Sequence, residues 1–321
     1  MMPREKRVDE IQVSDKMYLF RPCVGSNKYP GIISSALEVF PKLGIEPVTS
    51  EEQTCCGGFL TFTNVAKPTS TMPAVARNID IAEEKDLDIV TFCNGCYTFL
   101  SEFSHFMNEK PEVKNVVNRI LSMVDRDYEG KSSIYHALEI LYKLKDRIND
   151  EVEKPLEGMK FATHYGCHYL NGFKNTAIDD PHMPTVMEEL IETMGGEVVN
   201  YSENRTCCGT GLTQIITNKE EVALPHTKQK LDSLKDEADP DAVIVVCPYC
   251  QSQLDRMQHK FDYRDIREYD IPVMHLVQLV GLALGVEMKK LGLEAHAIGF
   301  DDFLEKFERE SEGEKEVKES E

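Results

Sequence analysis

Ala242-Val243-Ile244-Val245-Val246-Cys247-Pro248-Tyr249-Cys250 is a run of apolar, mostly β-branched residues that stops on a Cys-x2-Cys pair. A continuous apolar run of this length suits a strand buried on both faces, the usual state of a parallel sheet covered by helices. A helical pattern from about Lys219 to Leu234 precedes it. The same order occurs upstream, where a helix from about Met72 to Lys85 leads to Asp88-Ile89-Val90-Thr91-Phe92 and then to Cys93-x2-Cys96.

Working outward, all ten cysteines fall into two matching series. The first is Cys23, then 31 residues, then Cys55-Cys56-Gly57, then Cys93 and Cys96; the second is Cys167, then 39 residues, then Cys207-Cys208-Gly209, then Cys247 and Cys250. The repeat has a period of roughly 150 residues, too long for a solenoid unit and right for a duplicated domain. Flanking elements repeat as well. Met17 to Phe20 and Lys160 to Thr163 read as strands running into Cys23 and Cys167. Pro30-Gly31 opens an amphipathic helix through about Leu43, and a second helix runs from Pro184 to Met194. Short strands are expected at Pro47-Val48 and Glu197-Val198-Val199.

Strands alternating with helices define an α/β fold: two pseudo-symmetric tandem α/β domains with mostly parallel sheets, their cysteine loops at the strand carboxyl ends. Open α/β sheets place ligand sites at that edge. The expected division is 1–155 for the first domain, with a helical insert over about 110–150, and 156–300 for the second, leaving 301–321 as an acidic mobile tail. Asp301 to Glu321 hold ten acids and four bases, a composition that favours a solvated segment.

Bulk properties narrow the class. Of the 321 residues, 41% are hydrophobic and 29% charged, as in a soluble globular protein. The net charge of −20 argues against nucleic-acid binding, which needs clustered Lys and Arg. The longest apolar run, Val273 to Val286, is interrupted by His275 and Gln278. It falls short of the ~18–20 residues of a membrane span and reads as a buried helix. The charged opening segment carries no secretory signal, so a cytoplasmic location is expected. Ten cysteines in that setting point to metal ligands or reactive thiols before disulfides.

The count within each set narrows the chemistry. Zinc and an ordinary four-iron cubane are each satisfied by four ligands. A fifth thiol in both sets suggests an iron–sulfur cluster with more ligand positions than a cubane offers. The adjacent cysteines could each serve neighbouring irons, and Gly57-Gly58 and Gly209 with Gly211 could let backbone N–H groups approach sulfur. Two structural zinc sites, each with a spare thiol, are the competing expectation.

The tandem pattern Cys-x31–39-Cys-Cys-Gly-x35–38-Cys-x2-Cys resembles the double CCG-domain proteins, the family that includes the B subunit of methanogen heterodisulfide reductase. The resemblance covers about residues 17 to 290 and includes Asn27-Lys28-Tyr29-Pro30-Gly31, His164-Tyr165-Gly166-Cys167-His168, and the run from Pro272 to Gly285. It implies that Cys23, Cys55, Cys56, Cys93 and Cys96 hold one noncubane [4Fe-4S] cluster. Cys167, Cys207, Cys208, Cys247 and Cys250 would hold a second. The implied reaction, a step of methanogenesis, reduces the coenzyme M–coenzyme B mixed disulfide (CoM-S-S-CoB) to two thiols, each cluster supplying one electron. The chain has no ferredoxin-type cysteine run and no Gly-x-Gly-x-x-Gly flavin fingerprint. Electrons would therefore come from partners, which the resemblance makes a ferredoxin-like C subunit and a flavin-containing A subunit. Alternatives are an electron-transfer subunit of another CCG-domain complex, of lactate or glycolate type, and a zinc-stapled binding module.

Several residues near the thiols are candidates for substrate chemistry. Lys28, ahead of the helix opening at Pro30, could bind an anionic substrate group, or be a solvated lysine beside a helix cap. Tyr29 and Tyr249 could wall a pocket, or simply pack. His164 and His168 flank Cys167 and could donate protons to a leaving thiolate, or only hydrogen-bond beside a cluster. Arg21 and Lys174 are weaker candidates. His275 reads as a satisfied core histidine, and Met72, Met183 and Met187 as core filler.

Overall fold

A computed structural model describes residues 4–171, 178–212 and 220–318. The first half runs α1 (Arg4–Glu10), β1 (Lys16–Phe20), α2 (Cys23–Lys28), α3 (Gly31–Lys42), β2 (Glu46–Val48), α4 (Gly58–Phe62) and α5 (Pro68–Glu83). It continues through β3 (Ile89–Thr91), α6 (Asn94–Glu109), α7 (Pro111–Leu121), β4 (Ile134–His136), α8 (Ala137–Lys143) and α9 (Lys145–Glu151). The second half runs β5 (Lys160–His164), α10 (Cys167–Leu170), α11 (Val186–Thr193), β6 (Glu197–Val198), α12 (Glu220–Ser233) and β7 (Ala242–Val245). It ends with α13 (Pro248–Tyr263), β8 (Val273–His275), α14 (Leu276–Ala283), α15 (Met288–Leu291) and α16 (Asp301–Lys318).

The two halves build four-stranded sheets of the same strand order, β2-β1-β3-β4 and β6-β5-β7-β8. Every pairing is parallel. Each half enters its sheet at the second strand position, steps outward, then crosses back. The switch in direction lies between β1 and β3 in one sheet and between β5 and β7 in the other, where open α/β sheets leave a crevice at the strand ends. Side chains along the central strands alternate between two cores, as the period of two requires. Met17, Leu19, Val90, Phe92, Phe161 and Ile244 face one core. Tyr18, Phe20, Ile89, Ala162, Val243 and Val245 face the other.

The halves interlock. The first core is built from α3 and α8 of the first half together with α11 and α14 of the second. Helix α14 lies along α3, and α11 lies on α8 and α9. Contact at the α3–α15 crossing is backbone to backbone: a Cβ added at Gly31 would sit 2.0 Å from the Leu291 carbonyl oxygen. Helix α1 crosses to the second half too, where Arg4 bonds Asp179 and Glu189.

Three expectations change. The 110–150 insert is not one extra unit. Only the stretch around α7 is added; β4–α8 is the counterpart of β8–α14, and the apolar run from Val273 is strand first, then helix. The reason is that a three-residue strand followed at once by a helix leaves no turn signal between them. The predicted mobile tail over 301–321 is helical to Lys318. Phe303 and Phe307, with Phe300 just before them, are buried in the shared core, so three aromatics anchor an otherwise acidic segment. The boundary near 155 separates two sheets but not two cores. Smaller differences follow known rules: α5 starts at Pro68, earlier than expected, with proline in the first turn. Met72 and Met187 are buried, but Met183 is exposed. The expected helix start at Lys219 lies outside the described residues. Among the described residues, no helix is long and apolar enough to cross a membrane.

Candidate functional site

Each cysteine group sits where its sheet releases the chain. Cys23 opens α2 just past β1, and Cys167 opens α10 just past β5. Cys93 and Cys247 are the N-cap residues of α6 and α13, so Cys96 and Cys250 lie one helical turn further, on the same side. The double cysteines precede Gly57 and Gly209, both in the left-handed region with φ of 74° and 99°. That turn folds the glycine N–H back onto the sulfur two residues earlier, at 3.4 Å from Cys55 Sγ and 3.4 Å from Cys207 Sγ.

The ten thiols form one continuous chain of neighbours. It runs Cys23, Cys55, Cys56, Cys96 and Cys93 through the first set. It continues Cys247, Cys250, Cys208, Cys207 and Cys167 through the second. The sets meet at Cys93 Sγ and Cys247 Sγ, 3.9 Å apart; within the second set, Cys208 and Cys250 are 3.4 Å apart. All ten line one cleft of about 920 Å³, counted to its open mouth. Its remaining wall includes the aromatic rings of Phe59, Phe62, Phe99 and Tyr249, and its polar groups include Asn94, Thr210 and His168. Phe59 stacks on Tyr249 at 6.0 Å, which joins the two halves across the cleft.

Crowding splits the thiol acidities. Cys55 is pulled down to about 2 by hydrogen bonds from Cys23 and Cys56 and by the Gly57 N–H. Cys207 falls to about 2 through Cys167, Cys208 and Gly209. Their neighbours are pushed up, Cys56 to about 12 mainly by Cys55 and Cys208 to about 12 mainly by Cys207. Five sulfurs so close cannot all ionise by themselves, because each thiolate raises the next. A cationic metal core bound among them removes that conflict. Soft, sulfur-only donor sets in a half-buried pocket fit zinc or iron–sulfur clusters, so the donor chemistry suits the groups expected from sequence.

The other predicted site residues divide. His168 lines the cleft, with Nδ1 3.5 Å from Cys167 Sγ and its ring edge-on to Phe62. His164 does not line it. It is buried behind the second set, and its nearest ring nitrogen and the sulfurs of Cys208 and Cys250 all lie within 4.8 Å of one another. Neither ring nitrogen makes a hydrogen bond, and burial pulls the imidazole down to about 3. Alternation along β5 explains the misplacement: His164 is the strand's last residue and points into the core. Lys28 is exposed and Tyr29 fully buried, and neither lines the cleft. The Tyr29 hydroxyl donates to Asp255 at 2.7 Å and its ring meets His296, so it ties the halves together and contacts no pocket. The α3 N-terminus that Lys28 was expected to share with an anion is covered by Leu291. Arg21 bonds the Ser50 carbonyl at 2.7 Å, away from the cleft. Lys174 lies outside the described residues.

Sequence reading missed Asn94, whose Nδ2 donates to the Tyr165 carbonyl at 2.6 Å while its buried Oδ1 has no partner. Its position inside the first Cys-x2-Cys pair was the available signal. It also missed Lys230, wholly buried behind the second set. Burial lowers its ammonium to about 8, opposed by the nearby sulfurs of Cys208 and Cys250 and by the Glu203 carboxylate. No motif marks it, since its surroundings exist only in the fold.

A family model, the CCG cysteine-rich domain, matches residues 17–101 and again 161–255. The chain belongs to the cysteine-rich domain family, in two copies. Both copies span a complete cysteine set. The B subunit of the ferredoxin:CoB-CoM heterodisulfide reductase of Methanosarcina mazei is 32% identical over 294 residues, covering 91% of this chain and 97% of that protein. The 8-methylmenaquinol:fumarate reductase membrane anchor subunit of Wolinella succinogenes is 30% identical, covering 88% of this chain and 97% of its own. Among solved structures, a hypothetical protein from Helicobacter pylori superposes with a TM-score of 0.66 at 15% identity. It covers 92% of this chain, which spans 56% of that one, and it speaks for the fold alone.

Proposed function

We propose that this cysteine-rich domain protein is an iron–sulfur redox subunit that reduces a disulfide, specifically the coenzyme M–coenzyme B mixed disulfide, between two noncubane [4Fe-4S] clusters. The observation that carries the reading is the single cleft lined by all ten cysteines, with the two sets meeting at Cys93 and Cys247. Cys23, Cys55, Cys56, Cys93 and Cys96 would hold one cluster; Cys167, Cys207, Cys208, Cys247 and Cys250 would hold the other. When bound, the clusters supply the two electrons that splitting one S–S bond requires.

The chain's own residues then do the rest. Phe59, Phe62, Phe99 and Tyr249 receive the apolar part of the substrate and exclude water from the reacting sulfurs. His168, at the cleft wall, delivers a proton from its ring to a departing thiolate. Electrons enter from a ferredoxin-like C subunit fed by a flavin-containing A subunit; among the described residues no helix of this chain is long and apolar enough to cross a membrane. A second reading is electron transfer in another reductase complex; the 30% identity to the Wolinella anchor subunit favours it.

Anaerobic purification tests the first step. Two four-iron clusters give about eight irons per chain and broad visible absorbance, whereas a colourless protein with two zincs refutes the reading. Assay of CoM-S-S-CoB reduction with a low-potential donor and the partner subunits separates the two redox readings: thiol release supports the first, and cluster oxidation without it supports the second.

A further inference from the structure

The two thiol sets are equivalent in their sulfurs but not in what stands behind them. Helices α5 and α12 correspond, each with an internal proline, Pro73 and Pro225. Five residues beyond the proline, the first half has Asn78 and the second Lys230. Asn78 is a neutral amide that accepts from the Thr54 N–H at 2.9 Å and donates to the Cys55 carbonyl at 3.0 Å. Lys230, at the corresponding position of α12, is fully buried and donates to the Glu203 carbonyl with the Tyr201 ring 5.1 Å away. It lies one helical turn beyond Thr227, whose hydroxyl donates to the Cys208 carbonyl at 2.8 Å. Among the described residues it pairs directly with no carboxylate, and the groups that act on it against burial are Cys208 and Cys250, then the Glu203 carboxylate and Cys207. The strand ends differ likewise. Phe20 closes β1, and His164 closes β5 beside those same two sulfurs.

A buried ammonium is tolerated where an anion offsets it. Here the anionic groups that act on it are the second sulfur set, once its thiols are deprotonated around whatever they hold, and the Glu203 carboxylate. The same charge and an N–H donor next to sulfur stabilise a cluster more once it has gained an electron. Resting on the cluster reading above, we propose that the second-half cluster has the higher reduction potential, that Lys230 sets it with help from His164, and that the first electron delivered by a one-electron donor resides there. In that step one electron leaves the donor, the second-half cluster is reduced by one, and the first-half cluster keeps its oxidation state. Lys230 and His164 are positioning and tuning groups, since neither lines the cleft.

The test is a mediated dithionite titration of the anaerobic, iron-loaded chain, followed by electron paramagnetic resonance. Two one-electron waves are expected, at least tenfold apart in reduction equilibrium constant, about 59 mV. Cys207→Ser, which breaks the second set, removes the upper wave. Lys230→Met lowers the upper wave by about tenfold or more and leaves the lower one in place, Lys230→Arg retains it, and His164→Phe lowers it less. Coincident waves in the unaltered chain, survival of the upper wave in Cys207→Ser, or an unmoved upper wave in iron-replete Lys230→Met overturns the proposal. A chain that binds no iron refutes the cluster reading itself, so the two failures are distinguishable. If Lys230→Met does not load, the unaltered chain and Cys207→Ser decide between them.

Discussion

Gly57 and Gly209 hold matching places after the double cysteines, yet they differ in how much room a side chain would find. At Gly57 an added Cβ would meet Thr71 Cβ at 3.3 Å; at Gly209 it would meet Thr227 Oγ1 at 2.6 Å and the Ala223 carbonyl at 2.7 Å. Both positions also have positive φ, which costs an L-residue about 1–2 kcal/mol. Gly57→Ala is expected to lower stability by about 1–2 kcal/mol, and Gly209→Ala by about 2–4 kcal/mol because overpacking adds to the backbone strain. Thermal denaturation checks this, and equal losses would contradict the packing difference. The need for glycine here was legible, since Cys-Cys-Gly repeats in both sets. The difference in surroundings was not, because Thr227 and Ala223 arrive from a helix about 15–20 residues on.

At the level of elements, β4–α8 and β8–α14 end their sheets in the same way. His136 caps α8 by accepting from the Leu138 N–H at 3.1 Å, while Glu139 accepts from the His136 N–H at 2.8 Å. His275 accepts from the Val277 N–H at 3.3 Å, with Gln278 in the place of Glu139 at 2.9 Å. His275 Nε2 also donates to the carbonyl of Phe92, next to Cys93, at 3.0 Å, so one half steadies the other's thiol set. Burial raises Glu139 from 4.5 to about 8, against the His136 N–H and the Tyr97 hydroxyl. The folded protein thus keeps a proton that the unfolded chain releases above 4.5, and stability falls as pH rises from 4.5 to 8. Glu139→Gln copies the arrangement the second half already uses. It is expected to flatten that decline and to gain on the order of a few kcal/mol near pH 8. Melting temperatures of both proteins across this range test it; parallel curves would refute it. The sequence carried both His-x2-Glu/Gln patterns, but the apolar run around the second hid the break between strand and helix.

For the whole molecule, the interlocked core makes folding a joint property of the halves. Ile32, Ala36, Val39 and Phe40 of α3 are buried in the core that α14 completes. Residues 1–155 alone would expose that face as a contiguous apolar patch, which isolated domains rarely tolerate. The full chain is expected to unfold in one calorimetric transition, and the 1–155 fragment to lack a cooperative one. Two separate transitions, or a fragment with dispersed amide resonances, would show that the halves are independent.

The chain's covalent order determined the duplication, the parallel α/β class and the ten thiols at strand ends, because period-two apolar runs and residue spacing act locally and are written in sequence. Tertiary structure decided what lies between distant segments. It set Cys93 against Cys247, turned Tyr29 and His164 into the interior, and anchored the acidic C-terminal helix by its aromatics. It also gave one thiol set a buried ammonium that the other lacks. Those outcomes depend on which helix of one half covers which sheet of the other, and no local pattern encodes that choice.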